Sequence, residues 1–377
     1  MEVFMNYLFH CYASAAFGME GLVSAELKRL GASGVIAENG GVQFNAHVTE
    51  LYEYNLRMHF SDRLFIILSD SVCTSFEDLY QAAFRIDWDF CFTEKEAINI
   101  TCKCTRSTLM SVRDCQAVTK KAIIEKLKKI TKQKLFPESG PALSIHVSIR
   151  NNQTRIMLNT SGDALSRRGY RTWNGEAPLR ETLAAALVEL SPWKPGIPLH
   201  DPCCGTGTLL IEAAFFASHR SPGLYRHFTM EDLCFFDKDK FYDVKQKVLS
   251  EVTPGKISEI SGSDIDPDAL KLAHRHIAQA GLNDNDIPLS CIPLQNLQLE
   301  CADGIFLCNP PYGERLFDQN SCRRLYRDLH ELKDRHSGWR LCAISSDPAF
   351  ERSYGKKADR KRRLYNGRLE CVFYCFD

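Results

Sequence analysis

The sequence has no regular cysteine pattern of the kind that forms disulfide frameworks or zinc sites. Its 16 cysteines are scattered, adjacent (Cys203 and Cys204) or one residue apart (Cys102 and Cys104), and none forms a C-x-x-C pair. Disulfide scaffolds and zinc modules use regularly spaced cysteines. We therefore expect reduced thiols, a cytoplasmic protein and no bound metal.

The chain also lacks long apolar segments and an excess of one charge. It contains no uncharged apolar run of 18 residues, so no membrane span is expected. The first 18 residues are apolar but have no basic flank and include Glu2 and His10, which favours a strand and turn over a signal peptide. Lys and Arg number 47, and so do Asp and Glu, which argues against a protein that coats nucleic acid indiscriminately.

What the chain contains is enough apolar material for a large core. Of its 377 residues, 44% are hydrophobic and 25% are charged, a balance that is not typical of disordered chains. The length allows two or three domains. No internal repeat or low-complexity segment is present.

Four residues at the end of a short apolar strand carry the clearest chemical signal. Residues 304–308 predict the strand, and Asn309, Pro310, Pro311 and Tyr312 follow it. The two prolines end the hydrogen-bond ladder, so the Asn side chain, the first Pro carbonyl and the Tyr ring can face a ligand. Taken alone, the four residues also fit a rigid strand-to-loop corner without chemistry.

These residue types suit a planar ring that carries an exocyclic amine. The lone pair of an aromatic NH2 is delocalised into the ring, which makes the nitrogen a poor nucleophile. Two acceptors aimed at its hydrogens, the Asn309 side-chain oxygen and the Pro310 carbonyl, would pull the nitrogen toward a pyramidal, nucleophilic shape. Tyr312 would stack on the base, an interaction worth roughly 1–3 kcal/mol.

A glycine turn upstream is the second signal. Residues 199–208 predict a strand that enters the turn, and residues 209–214 continue as a helix. Gly205 and Gly207 let the backbone approach a ligand closely at the carboxyl edge of a parallel sheet. A dinucleotide-binding fingerprint would need a third glycine where Leu210 stands, so pyrophosphate binding is disfavoured.

The third signal is a pair of acids at another strand end. Residues 260–267 predict a strand that ends among Asp264 and Asp266, and a helical pattern follows. An acid at this place can accept both ribose hydroxyls of a nucleoside. Asp264 is the first choice because it ends the strand, and Asp266 is the second. Each of the three signals is weak alone, and their order along the chain makes them specific.

With these motifs the chain resembles the class I S-adenosylmethionine-dependent methyltransferases that act on exocyclic amines of nucleic-acid bases. The resemblance is carried by residues 201–208 (DPCCGTGT), 262–266 (GSDID) and 309–315 (NPPYGER). The closer resemblance is to the THUMP-domain RNA guanine-N(2) methyltransferases, and within them to the N-terminal methyltransferase half of bacterial RlmL. Further stretches similar to that family are 15–20, 159–162, 168–171, 177–184, 356–359 and 364–367.

The resemblance implies an α/β fold in three parts. These are an N-terminal ferredoxin-like α+β region (1–60), a THUMP RNA-binding domain (61–165) and a class I, Rossmann-like methyltransferase domain with a seven-stranded sheet (166–377). The residues themselves support the last part, because strands and helices alternate from about residue 165 as in a doubly wound parallel sheet. Strands at 361–365 and 369–376 are close enough to form the antiparallel hairpin found at the edge of such sheets.

The resemblance also implies S-adenosylmethionine as the cofactor. The residues expected around it are Asp201, Cys203, Gly205, Gly207, Thr208, Asp264, Ile265, Asp266, Gln295, Leu179 and Thr182. Asn296 is the alternative to Gln295 for the adenine amine, in a predicted strand at 292–296. The expected catalytic residues are Asn309, Pro310, Pro311 and Tyr312, with Arg315 and Phe317 as further pocket residues.

Two basic segments indicate RNA as the partner. Residues 102–136 carry ten lysines and arginines against only Asp114 and Glu125, and a second basic group lies at 356–368. Either segment also fits an ordinary solvated surface, but two of them flanking a base-amine site fit phosphate contacts better. The residues expected to bind RNA are Lys120, Lys121, Lys128, Lys129, Arg168, Arg362 and Arg363.

The expected function is methyl transfer from S-adenosylmethionine to the exocyclic amine of a guanine in RNA, and the resemblance favours 23S ribosomal RNA. The four-residue motif grips an amine rather than one base, so a tRNA guanine or an adenine amine stays an alternative. A non-catalytic RNA-binding protein is a third. The methyl group is already activated, so orientation supplies most of the barrier reduction and no general base is needed before attack.

Neutralising the basic helix tests its assignment. Replacing Lys120, Lys121, Lys128 and Lys129 together by Gln should weaken RNA binding and flatten its salt dependence. Each lost phosphate contact lowers the slope of log K against log salt by roughly 0.7–0.9. The measurement is a salt titration of RNA binding followed by fluorescence anisotropy. An unchanged slope would show that these lysines form an ordinary solvated helix face.

Overall fold

The computed structural model describes residues 7–92, 96–132, 140–171, 179–253, 257, 259–312 and 319–377. Within these ranges the chain forms two seven-stranded sheets that follow one another in sequence. The first takes its strands from residues 9–159 and the second from residues 199–376. The predicted α/β fold is therefore confirmed.

The first sheet belongs to the N-terminal half. Its described elements are β1 (Phe9–Ser14), α1 (Glu20–Arg29), β2 (Ser33–Glu38), β3 (Gly41–Ala46), α2 (Val48–Arg57), β4 (Arg63–Val72), α3 (Phe76–Phe84), β5 (Ala97–Thr105), α4 (Val112–Thr131), β6 (Ala142–Arg150) and β7 (Gln153–Asn159). The strand order is β2-β3-β1-β4-β7-β6-β5. Neighbours pair antiparallel except β5 and β6, which are parallel and connected through the basic helix α4.

Alternating burial explains why these segments form a half-buried sheet. In β6 the side chains of Leu143, Ile145, Val147 and Ile149 are buried while their neighbours are not, which is the period-two pattern of a strand with one face on a core. β4 is absent from the predicted strands. It lies between β1 and β7, so it joins the two predicted N-terminal regions into one continuous sheet.

The second sheet forms the C-terminal half. Its described elements are α5 (Glu181–Leu190), β8 (Leu199–Asp201), α6 (Thr208–Ala217), α7 (Lys238–Ser250), β9 (Ile260–Asp264), α8 (Pro267–Gln279), β10 (Leu289–Cys291), β11 (Asp303–Cys308), α9 (Gln319–Arg335), β12 (Gly338–Ser345), α10 (Phe350–Tyr354), β13 (Arg360–Asn366) and β14 (Leu369–Phe376). The strand order is β10-β9-β8-β11-β12-β14-β13, with β14 antiparallel to both neighbours. The seven-stranded sheet and its terminal hairpin are thus confirmed.

The order of the second sheet creates a ligand-binding edge. After β8 the chain places β9 on one side of it and later β11 on the other, which makes β8 the point where the strand order reverses. Open parallel sheets bind ligands at the carboxyl ends of the strands next to such a point. The glycine turn after β8, Asp264 at the end of β9 and Asn309 after β11 all lie at this edge.

One predicted strand differs from the structure. Residues 292–296 were expected to be extended, but the strand ends at Cys291, and Leu294–Asn296 forms a single 3-10 turn. Pro293 lacks a backbone N–H and cannot continue a hydrogen-bond ladder, which gives a physical reason for the early end.

Several polar contacts join the two halves. Both guanidinium ends of Arg57 on α2 donate to the Glu251 carboxylate, at 2.6 and 2.7 Å. Arg362 on β13 donates to the carbonyl oxygen of Gly18 at 2.7 Å. A Cβ at Gly18 would lie 2.7 Å from the Arg363 carbonyl oxygen, so the loop after β1 approaches the terminal hairpin as closely as only glycine allows.

A buried ion pair is the most enclosed of these contacts and corrects one prediction. Arg168 and Glu212 have side-chain exposures of 1% and 0%, and their charged atoms lie 3.4 Å apart. Arg168 also donates to the carbonyl oxygens of Met58, His59 and Leu165. The predicted RNA contact of Arg168 is therefore wrong, because its guanidinium is enclosed by the protein.

Removing this arginine tests its structural role. Arg168→Ala should lower the free energy of unfolding by about 3–5 kcal/mol, since Glu212 would be left as an uncompensated buried charge. The matched control is Arg167→Ala, which breaks an exposed pair with Asp163 and should cost about 0–1 kcal/mol. Urea unfolding followed by circular dichroism measures both. Equal losses in the two variants would contradict the assignment.

Candidate functional site

The strand register brings the two predicted ligand sites together. Phe306 on β11 pairs with His200 on β8, so the chain leaves β11 at Asn309 beside the place where it leaves β8 at Asp201. Paired strands lie roughly 4.8 Å apart. The four-residue corner and the glycine turn are therefore neighbours on one sheet edge.

The corner 309–312, which we call the acceptor corner, is held by two tyrosine hydroxyl groups. The Tyr312 hydroxyl donates to Asn309 Oδ1. The Tyr326 hydroxyl on α9 donates to the carbonyl oxygen of Pro311 at 3.0 Å. Pro310 is buried, whereas Asn309 and Tyr312 are partly exposed. These two hydrogen bonds hold the acceptor corner in place, while the partly exposed Asn309 side chain stays accessible to a ligand.

The hydrogen bond from Tyr312 to Asn309 was not predicted from the sequence. Its ring was expected to stack on a base, but its hydroxyl here fixes the orientation of the Asn309 side chain. Burial raises the pKa of Tyr312, so its hydroxyl group stays protonated and keeps donating. Donation to Oδ1 also leaves one lone pair of that oxygen for a ligand N–H. The stacking contact remains a prediction.

The glycine turn has the shape that close ligand approach requires. Gly205 and Gly207 have φ values of +51° and +80°, which L-residues with a Cβ rarely adopt. A Cβ built on Gly205 would meet nothing within 4 Å, so the backbone there borders open space. A Cβ on Gly262 would instead lie 2.6 Å from a methyl group of Leu210, which shows how tightly β9 packs under the turn.

The two acids at the end of β9, Asp264 in its last position and Asp266 just beyond it, differ in what they bind. Asp264 accepts the backbone N–H groups of Gly205 at 2.7 Å and Asp266 at 3.0 Å, so it links β9 to the glycine turn. Asp266 accepts the N–H of Asp268 at 2.8 Å and caps the N-terminus of α8. Each Asp264 oxygen keeps a lone pair for a hydroxyl group. These contacts favour Asp264 over Asp266 for the predicted ribose role.

An apolar side chain completes this part of the edge. Ile265, between the two acids, is 66% exposed, which is unusual for a residue of its size and fits its predicted place against a flat base. Gln295 is exposed and donates to the Asp328 carboxylate at 2.7 Å. The open space at Gly205, the free lone pairs of Asp264 and exposed Ile265 together fit an adenosyl cofactor.

The thiols at the carboxyl edge of the second sheet are not activated as nucleophiles. Burial raises the pKa values of Cys203, Cys204 and Cys308 well above the ordinary value, so these groups stay protonated. Burial also raises the pKa of Asp201, whose carboxylate accepts the backbone N–H of Cys203 at 3.0 Å. A thiolate nucleophile is therefore disfavoured.

Arg171 was not assigned a role from the sequence, and the structure places it beside the turn. Its guanidinium donates to Thr208 at the start of α6 and to the Leu179 carbonyl oxygen, and it lies 3.3 Å from the Glu181 carboxylate. Its Nε is buried and has no partner among the described residues. Thr182 donates to Asp62 at 3.2 Å and is buried. Arg315 and Phe317 lie outside the described residues.

The remaining predicted RNA contacts lie on the surface of two elements. On α4, Lys121 and Lys129 are exposed and Lys120 and Lys128 are partly exposed. Arg362 and Arg363 are exposed on β13, where Arg363 also lies 3.1 Å from the Glu370 carboxylate. All six side chains are accessible, and their contact with RNA stays a prediction.

Three cysteines lie close enough together to bind a metal ion, which bears on the expectation that the protein holds none. The sulfur atoms of Cys102, Cys104 and Cys115 lie within 4.8 Å of one another where β5 packs on α4. Cys102 Sγ and Cys104 Sγ are 3.6 Å apart, a separation that packed thiols also adopt. The absence of a metal accordingly stays a prediction.

Three family models match consecutive parts of the chain. The RlmL ferredoxin-like domain matches residues 10–65, the THUMP domain residues 73–159, and the RMKL-like methyltransferase domain residues 168–374. The last match covers more than half of the chain. The chain belongs to the RMKL-like methyltransferase family.

Individual relatives agree with this assignment. The chain is 33% identical over 364 residues to YpsC of Bacillus subtilis, named for RNA methyltransfer, covering 96% of this chain and 94% of YpsC. It is 35% identical over 373 residues to the ribosomal RNA large subunit methyltransferase K/L of Shewanella amazonensis, covering 97% of this chain and 52% of that protein. The chain thus spans about half the length of the K/L relative.

Two solved structures share the whole fold. SMU.472, a methyltransferase complexed with SAH, aligns with a TM-score of 0.92 at 34% identity, covering 99% of this chain and 98% of SMU.472. A Listeria monocytogenes protein named as an N6-adenine-specific DNA methylase aligns with a TM-score of 0.92 at 34% identity, covering 98% and 96%. The name of the Listeria protein specifies an adenine acceptor, whereas that of SMU.472 specifies none.

Family membership confirms the coarse predictions. The chain is a member of an S-adenosylmethionine-dependent RNA methyltransferase family, so the predicted cofactor and reaction class are confirmed at that level. No described helix is both long and apolar enough to cross a membrane.

The two acids at the end of β9 can be distinguished by cofactor binding. Asp264→Asn should weaken S-adenosylmethionine binding by about 1.5–3 kcal/mol, the value of a hydrogen bond to a charged group. Asp266→Asn should change it by less than about 0.5 kcal/mol, because Asn also caps helices well. Isothermal titration calorimetry measures both. A larger loss for Asp266→Asn would reverse the assignment.

Proposed function

We propose that the protein methylates the N2 amine of a guanine in RNA, with 23S ribosomal RNA as the target. The observation that carries this proposal is the acceptor corner beside the glycine turn, at adjoining carboxyl ends of β11 and β8. A base amine held at the first would face a methyl donor held at the second. Bound S-adenosylmethionine supplies the activated methyl group.

The residues of the acceptor corner orient the amine. Asn309 Oδ1 accepts one amine hydrogen, and the Pro310 carbonyl oxygen accepts the other. The Tyr312 hydroxyl keeps Asn309 in the accepting orientation, so little reorganisation is needed on reaction. After methyl transfer the alkylated nitrogen is far more acidic, and it gives its proton to Asn309, the Pro310 carbonyl oxygen or water. The nearby thiols take no part in proton transfer because burial raises their pKa values and keeps them protonated.

The names of the relatives support RNA as the substrate and leave room for one alternative. The K/L relative is named for large-subunit ribosomal RNA, which supports the 23S target. The name of the Listeria relative supports an adenine amine as the second candidate acceptor. The acceptor corner binds an amine, so it fits either base.

We further propose a division of labour along the chain. Residues 1–60 and 61–165, which share the first sheet, bind and orient RNA, and residues 166–377 carry the chemistry. This is supported by the accessible lysines of α4 in the first half and by the location of the acceptor corner and the glycine turn in the second.

The acceptor assignment is tested by removing the Asn309 side chain. Asn309→Ala should raise the activation barrier by about 2–4 kcal/mol, as the loss of an oriented polar contact does, while cofactor affinity stays unchanged. Single-turnover methyl transfer measures the first effect and calorimetry the second. Unchanged methylation would contradict the role of Asn309.

The target is tested by mapping the product. Ribosomal RNA from a strain without this gene is incubated with the protein and methyl-labelled cofactor, and the methylated nucleoside and its position are read by mass spectrometry. N2-methylguanosine in 23S RNA is the expected result. N6-methyladenosine would establish the second candidate, and no incorporation with intact cofactor binding would favour the non-catalytic protein.

A further inference from the structure

A positively charged cavity lies outside the acceptor corner and the glycine turn. It has a volume of about 450 Å³ and is lined by residues of α9 and α10. Arg323 and Arg327, one turn apart on α9, and Arg352 on α10 all line it. Glu331 is the one acid among its lining residues, so the charged side chains leave the cavity net positive.

Within the part of the chain that the structure describes, the charges of the three arginines are not neutralised. Among the described residues, no carboxylate lies within ion-pair distance of any of them. Partly buried Arg323 differs here from Arg57 and Arg155, which pair with Glu251 at 2.6 Å and with Asp70 at 2.7 Å. Guanidinium groups that converge without a counter-charge repel one another, and an anion between them relieves that repulsion.

Two buried nitrogen atoms at the cavity also have no protein partner. They are Arg323 Nε and His330 Nδ1, both on α9 and both without a hydrogen bond in the part of the chain that the structure describes. Buried polar atoms in folded proteins are almost always bonded. His330 already faces the Asp334 carboxylate through Nε2 at 3.4 Å, so Arg323 Nε is the donor that still needs an acceptor. With Arg327 and Arg352 lining the same cavity, the site suits an acceptor with several oxygens, which is the chemistry of a phosphate group.

The helix α9 that lines the cavity also contacts the acceptor corner. Tyr326 lies on α9 between Arg323 and Arg327, and its hydroxyl donates to the Pro311 carbonyl oxygen at 3.0 Å. A phosphate held by these arginines would therefore have a fixed position relative to Asn309. Arg327 and Arg352 are exposed, so a polynucleotide strand can reach the cavity from the surface.

We propose that Arg323, Arg327 and Arg352 bind a backbone phosphate of the RNA strand whose target base enters the acceptor corner. This inference rests on the proposed function for the identity of the strand as RNA. The planar guanidinium groups suit bidentate contacts with phosphate oxygens. Phosphate contacts set register without reading sequence, so the cavity would position the strand and leave base recognition to the acceptor corner.

The test compares variants that remove equal charge from the same helix. Binding of a fluorescein-labelled 20-nucleotide single-stranded RNA is measured by anisotropy over a salt series with Arg323→Gln and with Arg324→Gln, whose side chain does not line the cavity. The triple variant Arg323→Gln, Arg327→Gln and Arg352→Gln is measured alongside. Thermal melting and S-adenosylmethionine binding, unchanged in each variant, show that the fold is intact.

We expect Arg323→Gln to weaken RNA binding several-fold and Arg324→Gln by less than twofold. The triple variant should bind roughly tenfold more weakly, with a salt slope lower by about 2, because each single-strand phosphate contact contributes about 0.7. With an RNA that the protein methylates, the triple variant should show a higher KM for RNA and an unchanged kcat. Equal effects of Arg323→Gln and Arg324→Gln, or an unchanged slope in the triple variant, would overturn the proposal.

Two further titrations distinguish an RNA phosphate from a small phosphorylated ligand. Inorganic phosphate and guanosine monophosphate are titrated into the wild-type protein and the triple variant by calorimetry. Arginine-dependent binding of either, together with unchanged RNA binding in the triple variant, would assign the cavity to a small phosphorylated ligand and overturn the RNA assignment. RNA binding needs no methyl transfer, so a wrong target base would leave these binding results unchanged while altering the product map.

Discussion

The buried pair between Arg168 and Glu212 is the contact on which the placement of the cofactor site depends. Glu212 lies in α6, the helix that begins at the glycine turn, and Arg168 joins it to the carbonyl oxygens of Met58 and His59 in the N-terminal half. A buried charge must be paired, so the two halves cannot separate without exposing or stranding an ion. The pair thus fixes the N-terminal half against the helix that starts at the glycine turn.

The site itself relies on orientation more than on reactive groups. Asn309 is aimed by Tyr312, the Pro311 carbonyl is held by Tyr326, and Asp264 is held by the backbone of the glycine turn. Burial keeps the nearby thiols protonated and also raises the pKa of the Asp201 carboxyl group. This arrangement suits a reaction in which the donor is already activated and the protein has to align the acceptor.

Positive charge is distributed around this site in distinct ways. On α4 the lysines form an open surface, whereas Arg323, Arg327 and Arg352 converge on one cavity next to a helix that is bonded to the acceptor corner. An open row of charge gives affinity that depends on salt, while a convergent cavity gives position. A methyltransferase that acts on one nucleotide needs both, and the two features lie in different halves of the chain.

The sequence by itself determined the sheet of the second half and the location of its ligand edge. Alternating apolar segments predicted the strands, and Gly205, Asp264 and Asn309 lie at the ends of strands, so their meeting at one edge follows from the rule for parallel sheets. Local pattern could not show that Arg168 is buried, because its partner Glu212 is 44 residues away and a lone arginine is usually exposed. It also could not show that the Tyr312 hydroxyl binds Asn309, or that arginines from α9 and α10 converge. These features depend on distances between side chains of separate elements, which only the packed tertiary structure decides.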